Sequence, residues 1–83
     1  MKLKTSQDIG ELVKRARKSH KVTQKELAAA SGTGIRFVRD LERGKPTCEL
    51  EKVLVVLAML GIHLEADVPP VLSEVSEYKG KRG

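Results

Sequence analysis

A chain of 83 residues has room for one small domain, whose core is marginal on its own and is commonly supported by self-association. Its net charge of +5 and pI near 9.6 point to an acidic partner, and an aromatic inventory of Phe37 and Tyr78 excludes a surface that stacks single-stranded bases. The single cysteine, Cys48, excludes an internal disulfide and fits a reducing cytoplasm. The N-terminus lacks the apolar stretch of a signal peptide, and the longest apolar run, residues 53–60, is too short to span a membrane.

Residues 1–4 read as a frayed arm carrying Lys2 and Lys4. Thr5 with Asp8 three residues later has the pattern of an N-terminal cap, so a first helix is expected from there. It holds Ile9, Leu12, Val13 and Ala16 at the spacing of an amphipathic helix, with Lys14, Arg15, Arg17 and Lys18 over the rest. Residues 19–22 make the connection, with His20 and Lys21 exposed.

Thr23 and Glu26 form a second capping box, so the next helix starts at Gln24, with Leu27, Ala28 and Ser31 able to share one face. Gly32 supplies a left-handed residue that stops it. A third helix follows from about Ile35 to Arg43, ended by Gly44 in the same way. Its inward face is Phe37, Val38 and Leu41. Its outward face is Arg36, Arg39, Asp40 and Arg43, with Asp40 expected to orient Arg36 one turn earlier. A short helix with three arginines outward, held by a small helix packed across it, suits a DNA major groove. The charge distribution agrees. Residues 1–45 carry twelve Lys/Arg against five Asp/Glu, and residues 46–83 carry four against six. A solvated surface could show the same imbalance, so the motif decides between the two readings.

Pro46 breaks the chain direction, and Thr47 is placed to cap a fourth helix through Leu60, closed by Gly61. Leu50, Val53, Leu54, Leu57 and Leu60 form its stripe towards the other helices, and Val55, Val56 and Met59 widen that stripe most of the way round. Three small helices cannot bury such a surface alone. Residues 62–68 then alternate, Ile62, Leu64, Ala66 and Val68 against His63, Glu65 and Asp67, which is the pattern of a half-buried strand. With no second strand in its own chain, this segment is expected to pair antiparallel with its copy in a homodimer. Ile62, Leu64 and Ala66 would then lie over Val56 and Met59. Pro69 and Pro70 end it. The tail beyond carries Val71, Leu72, Val75 and Tyr78 in a weak apolar stripe that suits a partner protein. The organisation expected is therefore a helix-turn-helix and dimerisation domain over residues 1–68 and a flexible tail over 69–83.

No catalytic constellation, metal-ligand spacing or cofactor motif is visible, so the chain reads as a non-enzyme. His20 and His63 read as surface residues. Cys48, at the first turn of the fourth helix, reads as an inert half-buried thiol rather than a dipole-activated one. For DNA, Gln24 at a helix N-terminus can bond a phosphate and lean over a base edge, and Arg36 and Arg39 can each grip a guanine bidentately. Ile35 can meet a thymine methyl, and Thr23, Arg43 and Lys45 suit phosphates. The bland reading is a set of solvated helix-face residues, with Ile35 plugging the turn.

At Gln24, Leu27, Ala28, Gly32, Val38 and Leu41 the stretch resembles the helix-turn-helix of the lambda repressor/Cro superfamily, in its xenobiotic-response-element branch. The run LERGKPT at 41–47, with Leu50, Glu51, Lys52, Val53 and Leu54 after it, is similar to HipB-type antitoxins. The resemblance covers roughly residues 9–66. Thr33 departs from the pattern where an apolar residue is usual, and Gly34 stands where a capping Ser is usual. The resemblance implies an all-α fold of four to five short helices, to which the alternation at 62–68 adds a C-terminal strand pairing between subunits. By this resemblance Gln24, Ile35, Arg36 and Arg39 occupy positions used for operator contact, and Thr23, Gly34, Arg43 and Lys45 complete the expected contacts to a palindromic double-stranded site. The same resemblance implies a HipA-like kinase toxin as partner and autorepression of a shared operon. A phage or restriction-modification controller repressor has the same fold, and a kinase-inhibiting module without operator binding would have lost the outward arginines.

Overall fold

The computed structural model describes residues 1–70. Over that span the chain forms four helices, α1 (Ser6–Ser19), α2 (Gln24–Ser31), α3 (Ile35–Glu42) and α4 (Leu50–Met59), and no strand. The first two begin as their sequences require. Thr5 Oγ1 accepts from the Asp8 amide, and Asp8 Oδ2 accepts from the amides of Lys4 and Thr5 at 2.8 and 3.1 Å. The bond from the Lys4 amide, the largest cause, holds the Asp8 carboxyl below its ordinary pKa. Thr23 and Glu26 repeat the reciprocal pair at the start of α2.

All four helices end in one way. A residue with positive φ closes each: Lys21 (59°), Gly32 (71°), Gly44 (83°) and Gly61 (73°). Around each, two amides return to the carbonyls of the last turn in a Schellman motif. After α2 these are Thr33 to Ala28 O at 3.0 Å and Gly32 to Ala29 O at 3.4 Å; after α4 they are Ile62 to Leu57 O and Gly61 to Ala58 O. Thr33 therefore serves the turn with its backbone, and its hydroxyl meets Ser31 Oγ at 2.9 Å. Lys21 is the one non-glycine among them.

The core is Val13, Leu27, Ala28, Val38, Leu41, Val53, Val56, Leu57 and Leu60, with Ile9, Leu12, Ala16, Phe37, Cys48 and Ile62 packed around it. Helix α1 packs on α3, α3 on α2, and α2 on α4. The α1–α3 crossing is close because Gly10 has no side chain. A Cβ there would stand 2.4 Å from the Leu41 carbonyl oxygen and 2.9 Å from that of Glu42. Ser6 Oγ donates to Gly44 O at 2.8 Å and ties the start of α1 to the end of α3.

Four expectations need correction. Thr47 does not cap α4. The helix starts at Leu50 with Glu49 at its N-cap and no side-chain cap bond, because residues 46–47 are taken up in a turn after Pro46. Cys48 consequently lies ahead of the helix, half-buried, and burial pushes its thiol pKa up. The inward stripe of α4 is Val53, Val56, Leu57 and Leu60, whereas Leu50 and Leu54 are 69% and 47% exposed. Val56 is thus a core residue, not an interface one. Finally, residues 62–69 carry no regular secondary structure. A ladder needs a second extended segment, and among the described residues there is none. Ile62 is half-buried against the core, while Leu64 and Ala66 are exposed. Val71, Leu72, Val75 and Tyr78 lie outside the described residues.

Candidate nucleic-acid interface

Helix α3 has two chemically opposite sides. Val38 and Leu41 are buried in the core and Phe37 is half-buried, with Lys52 Nζ 5.8 Å from its ring centroid. Arg36, Arg39 and Arg43 are exposed on the other side, and Ile35 is 40% exposed at the helix start. A helix of eight residues cannot hold this orientation by itself; the packing of α1 and α2 behind it does. Gly34 takes the N-cap position with φ −85° and ψ 157°, makes no side-chain cap bond, and is exposed. The first amides of α3 are therefore open to an anion.

Asp40 does not turn to Arg36. Its Oδ2 lies 3.5 Å from Lys45 Nζ, because the turn at Gly44 brings Lys45 back beside the last turn of α3. Both are partly exposed, so this pair is worth at most about 1 kcal/mol. It holds Lys45 near the end of the arginine row. Thr23 is exposed, and its hydroxyl oxygen accepts the Glu26 amide, while its proton is still there to donate to a phosphate.

Gln24 is engaged in a network that sequence reasoning missed. Glu42, whose side chain is 4% exposed, accepts from Arg17 Nε at 2.5 Å and from Arg17 Nη2 and Gln24 Nε2, both at 3.0 Å. Arg17 Nη1 also donates to Val22 O at 3.0 Å. Hydrogen bonding to Glu42 pushes the guanidinium pKa up, against the desolvation that pulls it down. One carboxylate thus joins α1, the start of α2 and the end of α3. Its signal in the sequence was two opposite charges on apolar stripes: Arg17 four residues after Val13, and Glu42 four after Val38. Nothing local pairs them across that separation.

Around this network lies a concave surface lined by Lys14, Arg17, Lys18, Gln24, Arg39, Glu42 and Arg43. Five cationic side chains and one carboxylate make it strongly positive, and Lys14 and Lys18 were not among the expected site residues. The structure therefore brings Gln24, Arg39 and Arg43 together, sets Gly34, Ile35 and Arg36 at the start of α3, and puts Lys45 at its far end. Among the described residues no three His, Cys, Asp or Glu side chains gather as a metal site, and no helix is long and apolar enough to cross a membrane.

A helix-turn-helix family model matches residues 13–66, well over half of the chain. The chain belongs to the helix-turn-helix family. It is similar to the "Uncharacterized HTH-type transcriptional regulator y4mF" of Sinorhizobium fredii (strain NBRC 101917 / NGR234), with 47% identity over 68 residues, covering 82% of this chain and 90% of that protein. The match with the family spans the second half of α1, all of α2, α3 and α4, and most of the segment after α4. Helix-turn-helix architecture accounts for why α3 is the exposed basic element and α2 the buttress.

Proposed function

We propose that this protein is a sequence-specific DNA-binding transcriptional regulator that represses by placing α3 in the major groove of an operator. The observation that carries this is the fixed outward row of Arg36, Arg39 and Arg43 on a helix whose opposite side is core. The similarity to an HTH-type transcriptional regulator supports it. Arg36 and Arg39 read guanine edges, Ile35 meets a thymine methyl, and Thr23, Gly34, Arg43 and Lys45 contact phosphates, with Gln24 beside them.

Operators read by one small helix demand more contacts than one chain offers, so the same proposal includes a homodimer on a palindromic site. The exposed apolar side chains of Leu54, Val55 and Met59 support it, as do Leu64 and Ala66 beyond them. Half-site centres would then lie about one helical turn, roughly 34 Å, apart. The similarity of residues 41–54 to HipB-type antitoxins suggests a HipA-like kinase toxin as second partner, met by the tail from Val71 to Tyr78. A phage or restriction-modification controller repressor would share everything but that partner.

The test is binding to a selected operator and to random DNA, measured by fluorescence anisotropy over a salt series. Arg36→Ala and Arg39→Ala should each cost about 1–3 kcal/mol on the operator and relax preference at one base pair per half-site. Lys45→Ala should weaken both DNAs alike and lower the salt slope by about one contact. Equal losses on both DNAs for Arg36→Ala would remove the base-reading role. Retained operator repression without any kinase neighbour or kinase binding would leave the regulator and remove the antitoxin.

A further inference from the structure

We infer that Glu42 is a positioning residue for DNA recognition, fixing the side-chain amide of Gln24 so that it meets DNA with a set donor and acceptor. The inference rests on the regulator reading above and adds a residue that contacts no DNA itself. A carboxylate only accepts hydrogen bonds, so the amide must turn its NH2 group, not its oxygen, toward Glu42 Oε1. The orientation of Gln24 is therefore dictated by the chemistry of its partner. Its Oε1 and second N–H have no other partner among the described residues and are left for a ligand. Adjacent acceptor and donor match the N6 and N7 edge of adenine, and the N–H alone matches a backbone phosphate.

Arg17 completes the device. An uncompensated carboxylate beside DNA would repel phosphates, but both oxygens of Glu42 are held by the Arg17 guanidinium, and the side chain is 4% exposed. Arg17 in turn is anchored by Val22 O in the loop that leads into α2. The three residues come from separate helices, so the amide is fixed relative to α3 and its arginines rather than only to its own helix. An exposed glutamine that loses several rotamers on binding would forfeit affinity that this one keeps.

Two measurements test this. In NMR of the free chain, the Gln24 Nε2 protons should give two well-separated signals, one shifted downfield and slow to exchange, and both should revert to solvent-like values in Glu42→Gln. A solvent-like Gln24 amide in the unaltered chain overturns the inference without needing any variant to fold. The second is a double-mutant cycle on operator affinity, run well below the melting midpoint. Glu42→Gln should weaken binding about tenfold in the unaltered chain and less than twofold when Gln24 is already Ala. Equal losses in both backgrounds would make Glu42 a scaffold residue only, and no loss would make the amide irrelevant to DNA. A loss confined to one A·T pair assigns a base contact, and a salt slope lowered by one assigns a phosphate; either supports positioning. If the unaltered chain shows no preference for operator over random DNA, the regulator reading fails, while the NMR result still reports whether Glu42 holds the amide.

Discussion

From α1 to the turn after α3, directional bonds tie the elements together: two capping boxes, the Ser6–Gly44 bond and the Arg17–Glu42–Gln24 network. From Glu49 onward the chain is of another kind. Helix α4, like α3, starts without a side-chain cap, but Leu50, Leu54, Val55 and Met59 stand 39–69% exposed on it. In the first region these bonds hold the basic face of α3 in place against α1 and α2. The second carries exposed apolar side chains that the other described residues leave uncovered, the surface on which the proposed homodimer rests. Directional bonding and exposed apolar surface are thus separated along the sequence, and the charge asymmetry between the two halves follows the same division.

Breaking the first region should cost most. Gly10→Ala sets a methyl group against two backbone carbonyls of α3, which cannot rotate aside as side chains can. We expect about 3 kcal/mol or more of destabilisation, a melting midpoint lower by more than about 10 °C, and loss of DNA affinity with it. Gly34→Ala is the control, since nothing lies within 4 Å of its built Cβ; it should melt near the unaltered chain. Equal midpoints for the two variants would mean that α1 and α3 are not closely packed.

Within α4, adjacent turns should respond in opposite ways. Leu57→Ala empties a fully buried position and should cost about 2–5 kcal/mol at any protein concentration. Leu54→Ser should change the intrinsic stability of the chain by no more than about 0.5 kcal/mol. Its effect should fall instead on self-association, read as a sedimentation coefficient that no longer rises with concentration. If Leu54→Ser leaves association untouched, the apolar surplus of α4 is not the dimer surface.

What the sequence made legible follows the range of each interaction. Thr5 with Asp8, Thr23 with Glu26, and the glycines at 32, 44 and 61 act within a few residues, and the structure has each where expected. The arginine row of α3 needed only helical period. Interactions that depend on a distant partner were misjudged or missed. Arg17 and Glu42 are 25 positions apart, and Gly10 looks ordinary until the carbonyls of α3 lie against it. Asp40 was expected to orient Arg36, and the Gly44 turn brings Lys45 to it instead. On α4 the composition was apolar nearly all round, so periodicity could not say which side faced α2; Leu54 and Val56 were therefore assigned the wrong way round. The alternation at 62–68 was real as a pattern, but a strand is a property of two segments.

The smallest expected effect concerns the one helix ending that lacks a glycine. Three helices end on glycine, whereas α1 ends on Lys21 at φ 59°, with Lys21 donating to Lys18 O at 3.0 Å and Val22 to Arg17 O at 3.3 Å. For a residue with a Cβ the left-handed conformation costs about 1–2 kcal/mol. Glycine removes that cost but gives up about 0.5–1 kcal/mol of unfolded-state entropy. Lys21→Gly should therefore stabilise by a net of about 0.5 kcal/mol, a rise in melting midpoint of about 2–4 °C. Because Val22 O anchors Arg17, a firmer joint should also leave the Arg17–Glu42–Gln24 network intact, so operator affinity should fall only by the loss of one surface charge. The reverse exchange, Gly61→Lys, introduces at the end of α4 the strain that Lys21 now carries and should lower the midpoint. If Lys21→Gly destabilises, the α1 ending gains more from the lysine side chain than its backbone loses, and the shared geometry of the four endings does not mean a shared energetic cost.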